Sequence, residues 1–106
     1  MRMPTLSGKS QFAYKGSVAT GTQIHYGTNA KYRIAISALQ YGQLVNHFAG
    51  KEVLVGTSRD NAPAASLGRW LKENVTQTAC ASYVAPILVS EGYAHRVGDS
   101  RKIRFN

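Results

Sequence analysis

Between Leu67 and Val75 the apolar residues fall at Leu67, Trp70, Leu71 and Val75. The steps i, i+3, i+4 and i+8 trace one face of an amphipathic helix. Arg69, Lys72 and Glu73 take the other face. Ser66 is placed to cap this helix by accepting from a free first-turn N–H, and Asn74 to end it. Gly68 costs ~1 kcal/mol relative to Ala within a helix, which points to close packing there. A second, narrower stripe of Ala81, Val84, Ala85 and Leu88 predicts a helix over 76–91, with Thr76 or Thr78 as cap and Gly92 as the C′ residue. Small residues at its start let the two helices approach closely. Pro86 interrupts this stripe. It removes one helical hydrogen bond and crowds the carbonyl four residues back, at Ser82. Either the helix kinks near Ser82 or it restarts with Pro86 in a first turn; the kinked helix is the expectation.

Ser37-Ala38-Leu39-Gln40 is a capping box. The helix after it carries Tyr41, Leu44, Val45 and Phe48 on one face, and Gly50 ends it. Leu44, Phe48, Trp70, Leu71, Val84 and Leu88 are expected to share one core. Period-two alternation marks strands at Thr22–Tyr26 and Lys31–Ile36, around a Gly27-Thr28-Asn29 turn. Glu52–Thr57 is a short strand, followed by a loop to Ala65 holding Arg59, Asp60, Asn61 and Pro63. Tyr93–Val97 and Arg101–Phe105 form a hairpin around Gly98-Asp99-Ser100, with Ile103 and Phe105 on one face. Met1 to about Ser17 is rich in Ser, Gly, Lys and Thr. It is expected to be a mobile arm with a short strand at Gln11–Tyr14.

At 106 residues the chain fits one domain with one modest core. Its parts are a basic arm and hairpin over 1–36 and a main unit over 37–106. The single Cys80 excludes an intramolecular disulfide framework and any zinc site with several Cys ligands from one chain. That suits a reducing compartment. No apolar run approaches membrane-span length and no signal peptide is visible, so a soluble cytoplasmic protein is expected. Charge changes the picture more. Lys and Arg number 13 against 5 Asp and Glu, a formal net charge of +8. Residues 1–51 hold Arg2, Lys9, Lys15, Lys31, Arg33 and Lys51 and no acid. Such a surface attracts a polyanion through counterion release.

Catalytic chemistry is hard to assemble from what remains. Glu52, Asp60, Glu73, Glu91 and Asp99 show no paired spacing of the kind a metal-dependent nuclease wants. His25, His47 and His95 lie in three separate elements without ligand spacing. Cys80, at the start of a packed helix, reads as a small buried side chain rather than a nucleophile. Ser7-Gly8-Lys9-Ser10 resembles the tail of a phosphate-binding loop. The motif needs a glycine where Met3 stands, a strand before it and a helix after it, so it is rejected. The expectation is no enzyme, no cofactor and no metal.

The order helix, strand, helix, helix, strand, strand is an α+β arrangement. It resembles the winged helix-turn-helix superfamily over residues 37–106 in architecture and rough spacing. The resemblance implies that helix 76–91 is a recognition helix and that hairpin 93–105 is the wing. It implies a DNA-binding protein, a small transcriptional regulator, with RNA as a variant. The helix has no basic residue between Lys72 and His95. Its outward candidates are Gln77, Thr78, Ser82 and Tyr83, and Tyr83 reads equally well as a packing aromatic. Cations then come from Arg69, from Arg96, Arg101, Lys102 and Arg104 on the wing, and from Lys9 and Lys15 on the arm. The alternative is a winged-helix interaction module whose uncharged helix face binds a protein partner. A homodimer on a two-fold site is expected, with the strands around Ile24 and Ile34 as its interface.

Overall fold

A computed structural model of the protein describes residues 2–6, 8, 10–57, 62–98 and 101–106. Among the described residues, seven strands and three α-helices follow one another: β1 (Arg2–Pro4), β2 (Gln11–Ser17), β3 (Gly21–Tyr26), β4 (Tyr32–Ser37), α1 (Ala38–Phe48), β5 (Glu52–Leu54), α2 (Leu67–Asn74), α3 (Ala81–Ser90), β6 (Ala94–Val97) and β7 (Lys102–Phe105). They build an α+β fold with two antiparallel sheets. One is a four-stranded meander in the order β1-β2-β3-β4. The other is three-stranded, in the order β5-β7-β6.

The mobile arm expected at the start of the chain is instead part of this first sheet. Among its described residues, β1 pairs with β2 and β2 with β3. The physical reason is the alternation of Phe12 and Tyr14 with polar neighbours. Both side chains turn to the face shared by Ile24, Ile34 and Ile36, and all five are buried. Ile24 and Ile34 therefore pack inside their own chain and are not available as a dimer interface. Lys9, the rejected phosphate-loop lysine and an expected cation, lies outside the described residues.

The capping box forms as expected. Gln40 N–H donates to Ser37 Oγ at 3.1 Å and Ser37 N–H to Gln40 Oε1 at 2.9 Å. Tyr41, Leu44 and Phe48 turn inward from α1, and the Tyr41 hydroxyl is hydrogen-bonded to Thr22 Oγ1 at 2.7 Å, tying α1 to β3. Phe48 stacks on Phe105 at 5.2 Å, tying α1 to β7. Ser66 caps α2 by accepting from Arg69 N–H at 3.1 Å. Gly68 is a contact, as expected: a Cβ there would stand 1.9 Å from the Gly56 carbonyl oxygen. Leu44, Phe48, Leu71, Val84 and Leu88 belong to one buried cluster, with Trp70 half-buried against it.

Two boundaries differ from the sequence reading, and the end of the second helix of the pair agrees with it. The strand expected over 52–57 ends at Leu54. The second helix of the pair begins at Ala81, not at Thr76, and neither threonine caps it; Cys80 holds the N-cap position without a side-chain hydrogen bond. Thr78 N–H donates to Thr76 Oγ1 at 3.3 Å. Such a local side-chain bond competes with helical pairing, which keeps this stretch out of the helix. At the other end Glu91 is the C-cap. Gly92 follows with φ +85. Gly92 N–H donates to Val89 O and Tyr93 N–H to Leu88 O, a Schellman arrangement.

Helix α3 runs through Pro86 without restarting. Pro86 has no N–H to give the Ser82 carbonyl. Leu6 N–H, from the loop after β1, supplies it at 3.2 Å. The Leu6 carbonyl in turn accepts from Arg96 Nη1 at 2.8 Å. Near the other end of α3, Glu91 accepts from Tyr14 OH at 3.2 Å and from Val18 N–H at 2.9 Å. The first sheet is thus fastened to both ends of α3.

Candidate nucleic-acid interface

The connection from α2 to α3 sets the geometry. Val75 N–H and Thr76 N–H both donate to Leu71 O, at 2.9 and 3.0 Å. This closes α2 tightly and leaves Gln77 and Thr78 exposed on the loop. Helix α3 itself is nearly enclosed. Ala81, Val84, Ala85, Pro86, Ile87 and Leu88 are buried, Ser82, Tyr83 and Val89 are half-buried, and Ser90 is exposed. What α3 offers outward is its first turn, not a long open face.

That first turn opens onto a groove of about 670 Å³. Gln77, Thr78, Ser82 and Tyr83, four of the residues expected to read a partner, line it together. Lys72 contributes a cation from α2, and Thr57 a hydroxyl from the segment after β5. The remaining wall is Ala79 from the connection and Tyr26 and Tyr32 from the first sheet. The rings form a ladder. Tyr32 stacks on Tyr26 at 5.5 Å and Tyr26 on Tyr83 at 4.9 Å, while Phe12 meets Tyr83 edge-on at 5.2 Å. Tyr83 is therefore a packing aromatic with one side toward the groove. Tyr26 and Tyr32 were missed as groove residues. Their signal was present: they continue the alternation of Ile24 and Ile34, and they stand opposite each other across the β3–β4 pair.

The expected cations separate into groups. Arg69 Nη2 donates to the Ala62 carbonyl at 2.8 Å, so this guanidinium steadies the segment before α2. Arg96 shares the side of β6 that pairs with buried Ile103, and its guanidinium reaches Leu6. Arg101, Lys102 and Arg104 are exposed on the hairpin. Lys102 Nζ lies 3.8 Å from Glu52 Oε2, with both side chains about half exposed; a pair so exposed contributes little and leaves the lysine usable. Arg104 stands in register between Glu52 and His95. Lys15 is exposed on the outer side of the first sheet and does not line the groove.

Titratable chemistry is sparse. Burial pushes the Cys80 thiol up to about 12, so it stays protonated near neutrality. Burial also raises Tyr41, against the lowering effect of its Thr22 hydrogen bond. Among the described residues no three His, Cys, Asp or Glu side chains come together as a metal site. No helix among them is long and apolar enough to cross a membrane. Comparison with family models, with curated proteins and with solved structures found no match.

Proposed function

We propose that the chain is a winged-helix DNA-binding protein, a small transcriptional regulator, that presents the start of α3 and the β6–β7 wing to duplex DNA. The observation that carries the reading is the gathering of Gln77, Thr78, Ser82 and Lys72 in one groove at the start of α3. Helix-turn-helix proteins contact base edges with the N-terminal residues of the recognition helix, and that is the part of α3 left open. Gln77 suits adenine, and the hydroxyls suit either phosphate or base edges. The element order α1-β5-α2-α3-β6-β7, with β5 joined to the hairpin through β7, supports the winged-helix reading. Arg101, Lys102 and Arg104 supply phosphate contacts.

The test is binding to random and selected duplexes over a salt series, followed by fluorescence anisotropy. The Arg101→Gln/Lys102→Gln double variant is expected to weaken binding to all sequences alike. It should flatten the slope of log affinity against log salt by about 2. Gln77→Ala and Ser82→Ala are expected to change which sequences bind. An unchanged affinity and slope in the double variant would remove the wing from the interface.

A second reading has its own observation. Helix α3 has little open face, and the groove wall is tyrosine, with Tyr32 53% exposed. Tyrosine is enriched where proteins meet proteins. Failure of the unmodified protein to bind any duplex or single-stranded RNA at low salt makes a protein partner the better occupant of this groove.

A further inference from the structure

The first sheet gathers cations that the sequence scatters over residues 2 to 33. Side chains alternate between the faces of a strand, so register decides which share a side. Arg2 pairs with Ala13, Ala13 with His25 and His25 with Arg33. These make one row across all four strands. Two residues along, Lys15 pairs with Gln23 and Gln23 with Ala35. The opposite parity, through Tyr14, Ile24 and Ile34, turns into the core. The row from Arg2 to Arg33 spans roughly 14 Å at the usual strand separation.

Arg2, Lys15, Gln23 and Arg33 are exposed and His25 is half-exposed. No acid occurs anywhere in residues 1–51. Arg2, Lys15 and Arg33 have no carboxylate partner among the described residues. The contrast with other cations is direct: Arg69 and Arg96 hold backbone carbonyls, and Lys102 faces Glu52. No Phe, Tyr or Trp stands on this outer parity, since Phe12, Tyr14, Tyr26 and Tyr32 all take the other one. The face thus offers charge and amide donors without a stacking platform.

We infer that this outer face is a binding surface for the phosphate backbone of nucleic acid, distinct from the groove at α3. It rests on the reading that the partner is a nucleic acid, and it adds a second region of contact. Contacts of this kind fix affinity and position and carry no sequence information.

The experiment compares the full chain with its Arg2→Gln/Lys15→Gln/Arg33→Gln variant on duplex DNA over a salt series. The variant is expected to melt as the unmodified protein does. Its salt slope should fall by about 3, for three lost phosphate contacts. Its affinity should fall by the same factor on every sequence. Combined with the wing variant, the two losses of slope should add. The charge-conserving set Arg2→Lys/Lys15→Arg/Arg33→Lys should retain binding. If the neutral variant binds as tightly and as salt-dependently as the unmodified protein, the proposal falls while the DNA-binding reading stands. If the unmodified protein binds no duplex at low salt, that reading falls too. A charge-conserving set that loses as much as the neutral one overturns the proposal. So does a neutral variant that loses pelleting with phosphatidylserine vesicles but binds DNA unchanged.

Discussion

Leu88 shows how far a single position can be read. Its place in the stripe with Val84 assigns it to the core, and it is 0% exposed. Leu88→Ala is expected to cost about 2–5 kcal/mol, measured by chemical denaturation; a near-zero change would mean the helix face is wrong. Cys80 was equally legible as a small buried side chain, and its environment adds a pH dependence. Its thiol moves from 9.0 to about 12 on folding, through burial. The folded state therefore holds this proton more tightly, and the associated stability is complete below pH 9 and lost as pH rises toward 12. Tyr14, raised by burial and then by the Glu91 carboxylate, and Tyr41, raised by burial, add to the fall above pH 10. The Cys80 thiol alone adds up to about 1.4 kcal/mol per pH unit to this decline. Urea unfolding at pH 8, 9.5 and 10.5 should show this fall, and Cys80→Ala should remove the part that begins near pH 9. An identical pH dependence in the variant would contradict it.

Helices with their own local signals were readable as elements. The Ser37–Gln40 box and the Ser66 cap both form where the residues place them. Elements that depend on distant partners were legible only in part. Phe12 and Tyr14 announce the start of β2, the short strand expected at Gln11–Tyr14, while its extension to Ser17 and its backbone pairing are settled by β1 and β3. Helix α3 continues through Pro86 rather than restarting, in line with the helix expected there, but the donor that meets the Ser82 carbonyl, Leu6 N–H, lies 76 residues away in sequence and was not readable. Pro86→Ala introduces an N–H that competes for the Ser82 carbonyl. The expected outcome is faster hydrogen exchange at the Leu6 amide, with protection of the Leu71 turn unchanged. If Leu6 exchange is unaltered, the proline does not govern that contact.

For the molecule as a whole, the sequence gives the charge total but not its arrangement. Grouping Arg2, Lys15 and Arg33 needs a three-pair register, and collecting Gln77, Ser82 and Tyr32 in one groove needs the sheet to meet the helix pair. Neither follows from local periodicity. If the proposed DNA-binding function holds, a symmetric dimer with half-sites one helical turn apart is its predicted form, using a surface other than the buried side chains of Ile24 and Ile34. Analytical ultracentrifugation of the protein alone and with duplex should give a dimer mass in the complex. A monomer mass in both would remove the dimer and leave the groove and wing as a single-site reader.

The fastening of the first sheet to α3 has a consequence for how the chain is made. Residues 6, 14 and 18 wait for partners at 82, 91 and 96. At ribosomal speeds of about 5–20 residues per second, that delay is roughly 4–18 s. Until α3 is made, the face bearing Phe12, Tyr14, Ile24 and Ile34 has α1 against it through the Tyr41–Thr22 contact but lacks α3 and the wing. An incompletely covered apolar sheet face invites self-association. The acid-free stretch 1–51 carries six like charges, and like charges oppose the approach of incompletely folded copies. The charge excess proposed to meet a polyanion in the folded protein then also works against self-association before α3 and the wing are in place.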